Sequence, residues 1–350
     1  MADDRPRKQE QWPASEDVTE VAPGVLRAQL PIEIPGLRHV NTYILEDERG
    51  LAVVDPGMPG KEPHQVLDKR LRSVGLRMKD IHTVVVTHSH PDHFGGAGLL
   101  QKQGADLLTH ASFSTWFDPE PDVELEDADH SADAAPAAPP LRRRDRTTPW
   151  GGEAPRPPLR MRLKYRMARR WFQAPRPTIR VEDAETVRLA RREWIAVHTP
   201  GHTSDHLCLF DPSDGTLLSG DHVLPTITPH IGGLQVNEDP LAQFFDSLER
   251  MHHLDGARIV LPAHGQPFDD LDGRVEAIRQ HHIDRLKVLE EAGAVRGPAT
   301  VSEFSEDLFA PRSWGPMADS ETYAHLEHLR LAGRAERVER DGEVRYHVHA

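Results

Sequence analysis

Cysteine is almost absent from this 350-residue chain, with Cys208 the only one. A single thiol closes no intrachain disulfide and builds no thiolate metal cluster, so a disulfide scaffold and a Cys-rich metal site are both excluded. No apolar run reaches the roughly 18 residues that a membrane-spanning helix needs. The opening run MADDRPRKQEQWPASED lacks the apolar centre of a secretory signal, and a reducing cytoplasm is the expected compartment. Positive charge is also short: 42 Lys and Arg face 56 Asp and Glu, a net −14. That balance opposes binding of the whole protein to nucleic acid or anionic membrane, although a local basic groove would not be prevented. Histidine, by contrast, is plentiful at 22 residues, and it is their placement that carries chemistry.

Residues 1–16 read as a disordered tail. From Val18 short strands follow: VTEVAPGVLRAQLPI, then NTYILED and LAVVDPG joined at Glu48-Arg49-Gly50 as a hairpin, with Asp55 at the mouth of a Pro-Gly turn. HQVLDKRLRSVGL has helical spacing at Val66, Leu67, Leu71 and Val74. The continuous apolar strand IHTVVV runs into THSHPDHFGG, and a short helix and the strand ADLLTH come next. This alternation predicts a layered α/β architecture.

Between about 118 and 178 the composition changes. Asp118 to Asp133 holds eight acidic residues, and a proline-rich linker and a basic run follow. Leu159, Leu163, Met167 and Trp171 recur every four residues, predicting an insertion with a basic amphipathic helix. Its cations, Arg142 to Arg144, Arg160, Arg162, Lys164, Arg166, Arg169 and Arg170, are candidates for clamping a phosphate-bearing substrate, or for simply neutralising the acidic run. Strands return at TVRLA, REWIAVHTPG and DHLCLFDPSDGTLLSGD, then the helix PLAQFFDSLERMHHL and the strand RIVLPAHG. Residues 17–272 thus read as one catalytic domain. Residues 273–350 read as a second unit of three helices closed by a hairpin at Asp341-Gly342, the outline of a winged helix.

The strongest chemical signal is THSHPDHFGG. His88, His90, Asp92 and His93 crowd onto one loop at a strand end, which strand periodicity alone would never require. Imidazole and carboxylate donors suit zinc, iron or manganese. Gly95 and Gly96 let the backbone pass close to the crowded site. His202, Asp221 and His264 each lie just past an apolar strand, where ligands collect at the carboxyl ends of a sheet. Five histidines and two carboxylates suffice for two metals, one carboxylate bridging both.

Asp55 in DPG, then HSHPDH, TPGHTSDH, SGD and PAHG, in that order, resemble the metallo-beta-lactamase fold family of hydrolases. The resemblance spans residues 18–270 apart from the insertion. It implies an αββα sandwich with a binuclear site on one edge. Carried over, His88, His90 and His202 would hold one metal and Asp92, His93 and His264 the other. Asp221 would bridge them, and Asp55 would orient ligands. The histidine-rich set is similar to the glyoxalase II type. Two divalent ions, zinc foremost, would lower the pKa of a shared water from about 15.7 toward neutrality, giving a bridging hydroxide. Asp92 would also orient that nucleophile. His206 and His222 are nearby candidates for supporting roles, or plain packed histidines.

A thioester, ester or lactone is the expected substrate class. After the last histidine the chain reads GQPFDDLDG, acidic where glutathione thioesterases are basic, so glutathione itself is not expected. The C-terminal unit resembles the winged-helix appendage of beta-lactamase-like endoribonucleases and thioesterases. Residues 275–350 carry ten Lys and Arg against fourteen Asp and Glu, which disfavours RNA and favours a structural or dimerising role. The alternatives are a metal-dependent endoribonuclease or phosphodiesterase and, in another class, a mononuclear iron dioxygenase using His88, His202 and Asp221. A DNA-binding regulator ranks last, because it would leave seven assembled ligands without a purpose.

Overall fold

The computed structural model describes residues 8–115, 148–151, 175–234, 237–340 and 343–349. Antiparallel strands β1 (Val18–Ala22), β2 (Val25–Ile34), β3 (Leu37–Asp47) and β4 (Gly50–Val54) begin a seven-stranded sheet in sequential order. It continues through β5 (Ile81–Val85), β6 (Asp106–His110) and β7 (Ile179–Val181), each parallel to its neighbour. Parallel strands need crossovers, supplied here by α1 (Lys61–Ser73) before β5 and by α2 (Pro91–Phe94) and α3 (Ala97–Lys102) after it. A second sheet, ordered β12-β11-β10-β9-β8, uses β8 (Thr186–Leu189), β9 (Arg192–His198), β10 (Leu207–Asp211), β11 (Thr216–Gly220) and β12 (Ile259–Pro262).

Alternation along the strands decides the layering. One set of inward residues (Tyr43, Leu45, Val54, Val85, Leu108) meets Trp194, Ala196, Leu209, Leu218 and Leu261 of the other sheet in a shared core. The opposite face of the first sheet buries Ile44, Val53 and Val84 against Leu67 and Leu71 of α1 and Leu100 of α3. The outer face of the second sheet packs under α4 (Pro240–His252), whose start is set by Pro240 and by Asp239, which accepts from the Ala242 amide. Helix, sheet, sheet and helix thus stack as expected.

The C-terminal unit contains α5 (Leu271–Arg296), α6 (Val301–Leu308), α7 (Pro316–Leu331) and the hairpin β13 (Ala335–Arg340) with β14 (Glu343–Val348). A reciprocal Thr300–Glu303 capping box starts α6. Three helices and a terminal hairpin therefore occur in the expected order, although Asp341 and Gly342 lie outside the described residues. Val275, Ile278, Phe304, Leu326 and Tyr346 of this unit join one core with Phe244, Leu248 and the second sheet.

The described residues include a segment before Val18, with Gln9–Gln11 in a 3-10 turn. Glu10 is buried; its carboxylate accepts from the backbone amides of Thr226 and Ile227 and from the Thr226 hydroxyl. Over residues 8–16 the expected disordered tail is replaced by a segment whose polar side chains cap a loop of the domain. Most of the expected insertion, with its apolar stripe and its basic residues from Arg142 to Arg170, lies outside the described residues. Among the described residues no helix is long and apolar enough to cross a membrane.

Candidate metal centre

Strand β5 delivers the chain to the sheet edge, where Asp55 anchors the start of the histidine loop. Its Oδ1 accepts the Thr87 amide at 2.9 Å and its Oδ2 the Thr87 hydroxyl at 2.8 Å. Asp55 sits at φ +53, a left-handed conformation that Asp tolerates better than most side chains. The Thr87 oxygen, having given its own proton to Asp55, accepts from His88 Nδ1 at 3.0 Å. His90 stays extended, and Pro91 at the first position of α2 starts a single helical turn. That turn brings Asp92 and His93 into the interior, where both are buried. A Cβ at Gly95 would lie 2.2 Å from the Pro59 nitrogen, and one at Gly96 2.6 Å from the Pro56 carbonyl oxygen. These two glycines therefore admit the Asp55 loop against the histidine loop.

The seven residues singled out in the sequence meet in two adjacent groups. His88, His90, His202 and Asp221 offer one donor atom each within 4.8 Å of one another, and so do Asp92, His93 and His264. Asp221 lies between them. Its Oδ2 is 3.5 Å from His202 Nε2 and 3.6 Å from His93 Nε2, while its Oδ1 is 3.3 Å from His264 Nε2. Asp92 Oδ2 is 3.6 Å from both His93 Nε2 and His264 Nε2.

The outer ring nitrogens fix the tautomers. His93 Nδ1 donates to Asp55 Oδ2 at 2.9 Å, His202 Nδ1 to the His230 carbonyl at 2.8 Å, and His264 Nδ1 to the His39 carbonyl at 2.6 Å. Each therefore turns an Nε2 lone pair inward, as metal-binding imidazoles do. His90 Nδ1 lies 3.0 Å from His88 Nε2 and 3.1 Å from His202 Nε2. A proton on His90 Nδ1 could serve one of these contacts and would leave the other as two facing lone pairs. A cation among the three nitrogens relieves both. The buried atoms His93 Nε2, His264 Nε2 and Asp221 Oδ1 face one another without a well-formed hydrogen bond, which is costly unless another partner satisfies them. The donor set, neutral nitrogen plus anionic oxygen without sulfur, fits borderline divalent ions such as zinc.

Electrostatics agree with that fit. Burial, reinforced by neighbouring imidazoles, holds His88 and His90 well below the usual histidine pKa, in the neutral form that binds metal. Burial opposes charge on His93 as well, but Asp92, Asp221 and Asp55 overcome it and raise its pKa well above the usual value. Burial likewise favours protonating Asp221, yet His264 and His93 hold its carboxyl well below the usual range. This pocket attracts positive charge.

The structure also places supporting residues that the sequence left unnamed or undecided. His206 Nε2 accepts the Asp221 amide and its Nδ1 donates to the Thr199 hydroxyl, so it is a support and not mere packing. His222 is buried against Phe244 and makes no comparable link to the donor groups. His39 was invisible in the sequence: it sits in an ordinary strand, yet its carbonyl holds His264 and its Nε2 accepts the Gly265 amide. Thr87 and His230 were missed for the same reason, since a hydroxyl or a carbonyl carries no motif.

Residues 35–112 and 127–264 match the family model described as the metallo-beta-lactamase superfamily. The chain is 25% identical over 305 residues to "Probable metallo-hydrolase YqjP" of Bacillus subtilis, covering 83% of this chain and 87% of that protein. It is 26% identical to the lactamase-like protein aptB of Emericella nidulans, covering 83% and 74%. Among solved structures, a metallo-beta-lactamase family protein from Thermus thermophilus superposes with a TM-score of 0.74 at 28% identity, over 94% of this chain and 100% of that one. A beta-lactamase domain protein from Burkholderia ambifaria gives 0.72 at 27%, over 97% and 95%. Fold, paired donor groups and relatives agree: this chain belongs to the metallo-beta-lactamase superfamily and is a metal-dependent hydrolase.

Proposed function

We propose that the protein hydrolyses a small thioester, ester or lactone with two divalent metal ions, zinc foremost. The observation that carries this reading is the position of Asp221, whose two oxygens face the two donor groups from between them. In this reading His88, His90 and His202 would hold one ion and Asp92, His93 and His264 the other, with Asp221 placed between them. Paired cations, when bound, would supply a water acidic enough to react near neutral pH and would polarise the carbonyl under attack. The chain's own residues do the rest. Asp55, Thr87, His39 and the His230 carbonyl hold the imidazoles in direction, so that little reorganisation is left for the reaction. Asp92, buried beside His93 and His264, would orient the attacking water by accepting a hydrogen bond from it.

The acyl class is supported by the sulfur-free, histidine-rich donor set and by the overall negative charge, which repels polyanions. The winged-helix-like unit is read as structural. Ten of the sixteen residues of α7 are buried, so the helix that would enter a groove faces the protein instead. A single-iron oxygenase is not favoured, since Asp92, His93 and His264 form a second full donor group. The test is metal analysis of the purified protein followed by turnover of thioester, ester, lactone, phosphodiester and RNA panels. Two equivalents of metal with acyl turnover are expected. One iron with oxygen uptake, or cleavage of RNA alone, would refute the proposal.

A further inference from the structure

The loop after β11 reaches from the candidate metal centre to the C-terminal unit. At its near end the His230 carbonyl accepts from His202 Nδ1 at 2.8 Å. From the same residue the ring Nδ1 donates to Glu321 Oε2 of α7 at 3.0 Å. The other oxygen, Oε1, takes a charge-assisted bond from Arg285 of α5 at 2.6 Å. Glu321 is buried, with 8% exposure, while the His230 ring remains partly exposed. The loop is pressed onto α7 at two further points. The Gly233 amide donates to the Ser320 carbonyl and lies 3.1 Å from the Ser320 hydroxyl oxygen. A Cβ at Gly233 would stand 2.3 Å from the Tyr323 ring, so only glycine allows so close an approach. Ile231 is fully buried in the core shared with α4 and α7.

His282, Glu321 and His325 also lie close enough to hold a cation. That reading fails on occupancy. Both Glu321 oxygens are already engaged by His230 and Arg285, the Arg285 cation would repel a metal, and His282 Nδ1 and His325 Nε2 pair with each other at 3.1 Å. The carboxylate belongs to the loop.

We infer that Glu321 is a positioning residue for His202: by gripping the His230 ring from α7, it fixes the carbonyl that orients the His202 Nε2 lone pair. The C-terminal helices are thereby part of the metal centre although none of their side chains enters it. This rests on the reading of His202 as a metal ligand. Partners behind ligating histidines typically carry about 10–100-fold in metal affinity, and Glu321 stands one residue further back, so about tenfold is expected.

The experiment uses the full chain loaded with Co(II), read by its visible absorption and by chelator competition for the dissociation constant. His230→Leu keeps the carbonyl but cuts the link to Glu321, and it decides the matter even if Glu321→Ala does not fold. It is expected to weaken one of the two cobalt equivalents about tenfold and to change that equivalent's spectrum. Glu321→Ala is expected to do the same, and to add nothing in a His230→Leu background. Parental affinity and spectrum in His230→Leu, whatever its Tm, would overturn the inference. His202→Ala separates the two levels: if it retains both equivalents at parental affinity, the ligand reading itself has failed. If it loses one while His230→Leu stays parental, the inference alone has failed.

Discussion

His206 Nε2 stands 3.0 Å from the backbone nitrogen of Asp221 and accepts its proton. The acceptor is a fully buried imidazole held from behind by the Thr199 hydroxyl at 2.7 Å. The strand β11 can end in this way only because Gly220 precedes Asp221. Gly220 adopts φ +51, and a Cβ there would lie 2.6 Å from His206 Nε2.

Gly220→Ala should therefore cost at least about 2 kcal/mol, combining left-handed strain of about 1–2 kcal/mol with overpacking against a ring that cannot retreat. It should also weaken metal binding, because the turn that presents Asp221 must shift. Urea unfolding and chelator competition measure the two effects. A stable variant with parental affinity would show that the turn is more tolerant than this packing implies.

The Asp55 carboxylate accepts three hydrogen bonds, two from Thr87 and one from His93. Asp55→Ala leaves His93 Nδ1 without its acceptor and frees the start of the histidine loop. A fall of about 10–100-fold in affinity for the metal held by Asp92, His93 and His264 is expected. Metal content by mass spectrometry, before and after dialysis against a weak chelator, would reveal it. Two tightly held equivalents would contradict it.

Glu321 gives a pH dependence of stability with a definite sign. Burial alone would raise its pKa, but the His230 hydrogen bond and the Arg285 charge lower it from 4.5 to about 2. A depressed carboxyl pKa stabilises the folded state fully above the unfolded value and loses that stabilisation as pH falls toward the folded one. The stability gap between the parent and Glu321→Gln should thus shrink as pH falls from 4.5 toward 2. Urea midpoints across that range test it. A gap that widened on acidification would reverse the sign.

Cys208 is buried on β10, and burial pushes its thiol up to about 12. Since the thiolate is the reactive form, the native protein should resist a maleimide at about pH 7.5 and react in urea at the rate of a free cysteine. Rapid native labelling would mean that the second sheet opens readily.

The layered α/β class and the strand ends were legible because buried parallel strands such as β5 end in consecutive apolar residues, Val84 to Val86, and histidines crowded just beyond them have no packing reason to be there. Thr87, His39, His206 and His230 were not legible as a set. Thr87 is adjacent in sequence to the ring it holds, but its part is played by a hydroxyl that any strand end might carry. The His230 and His39 carbonyls lie 28 and 225 residues from the imidazoles they orient, and nothing local to either marks that pairing. Glu10 shows the opposite error: a polar terminal run reads as solvated, yet one carboxylate facing two free amides is enough to dock it.

By itself the order of residues determined which side chains could bind metal, because donor chemistry is a property of residue type and HSHPDH, TPGHTSDH, SGD and PAHG carry that chemistry locally. Only the tertiary structure decided which nitrogen of each ring faces inward, that Asp221 lies between both groups, and that Glu321 stands behind His202. Those facts depend on which acceptor sits behind each imidazole. Most of the acceptors come from strands and loops distant in sequence, brought together by the packing of three cores.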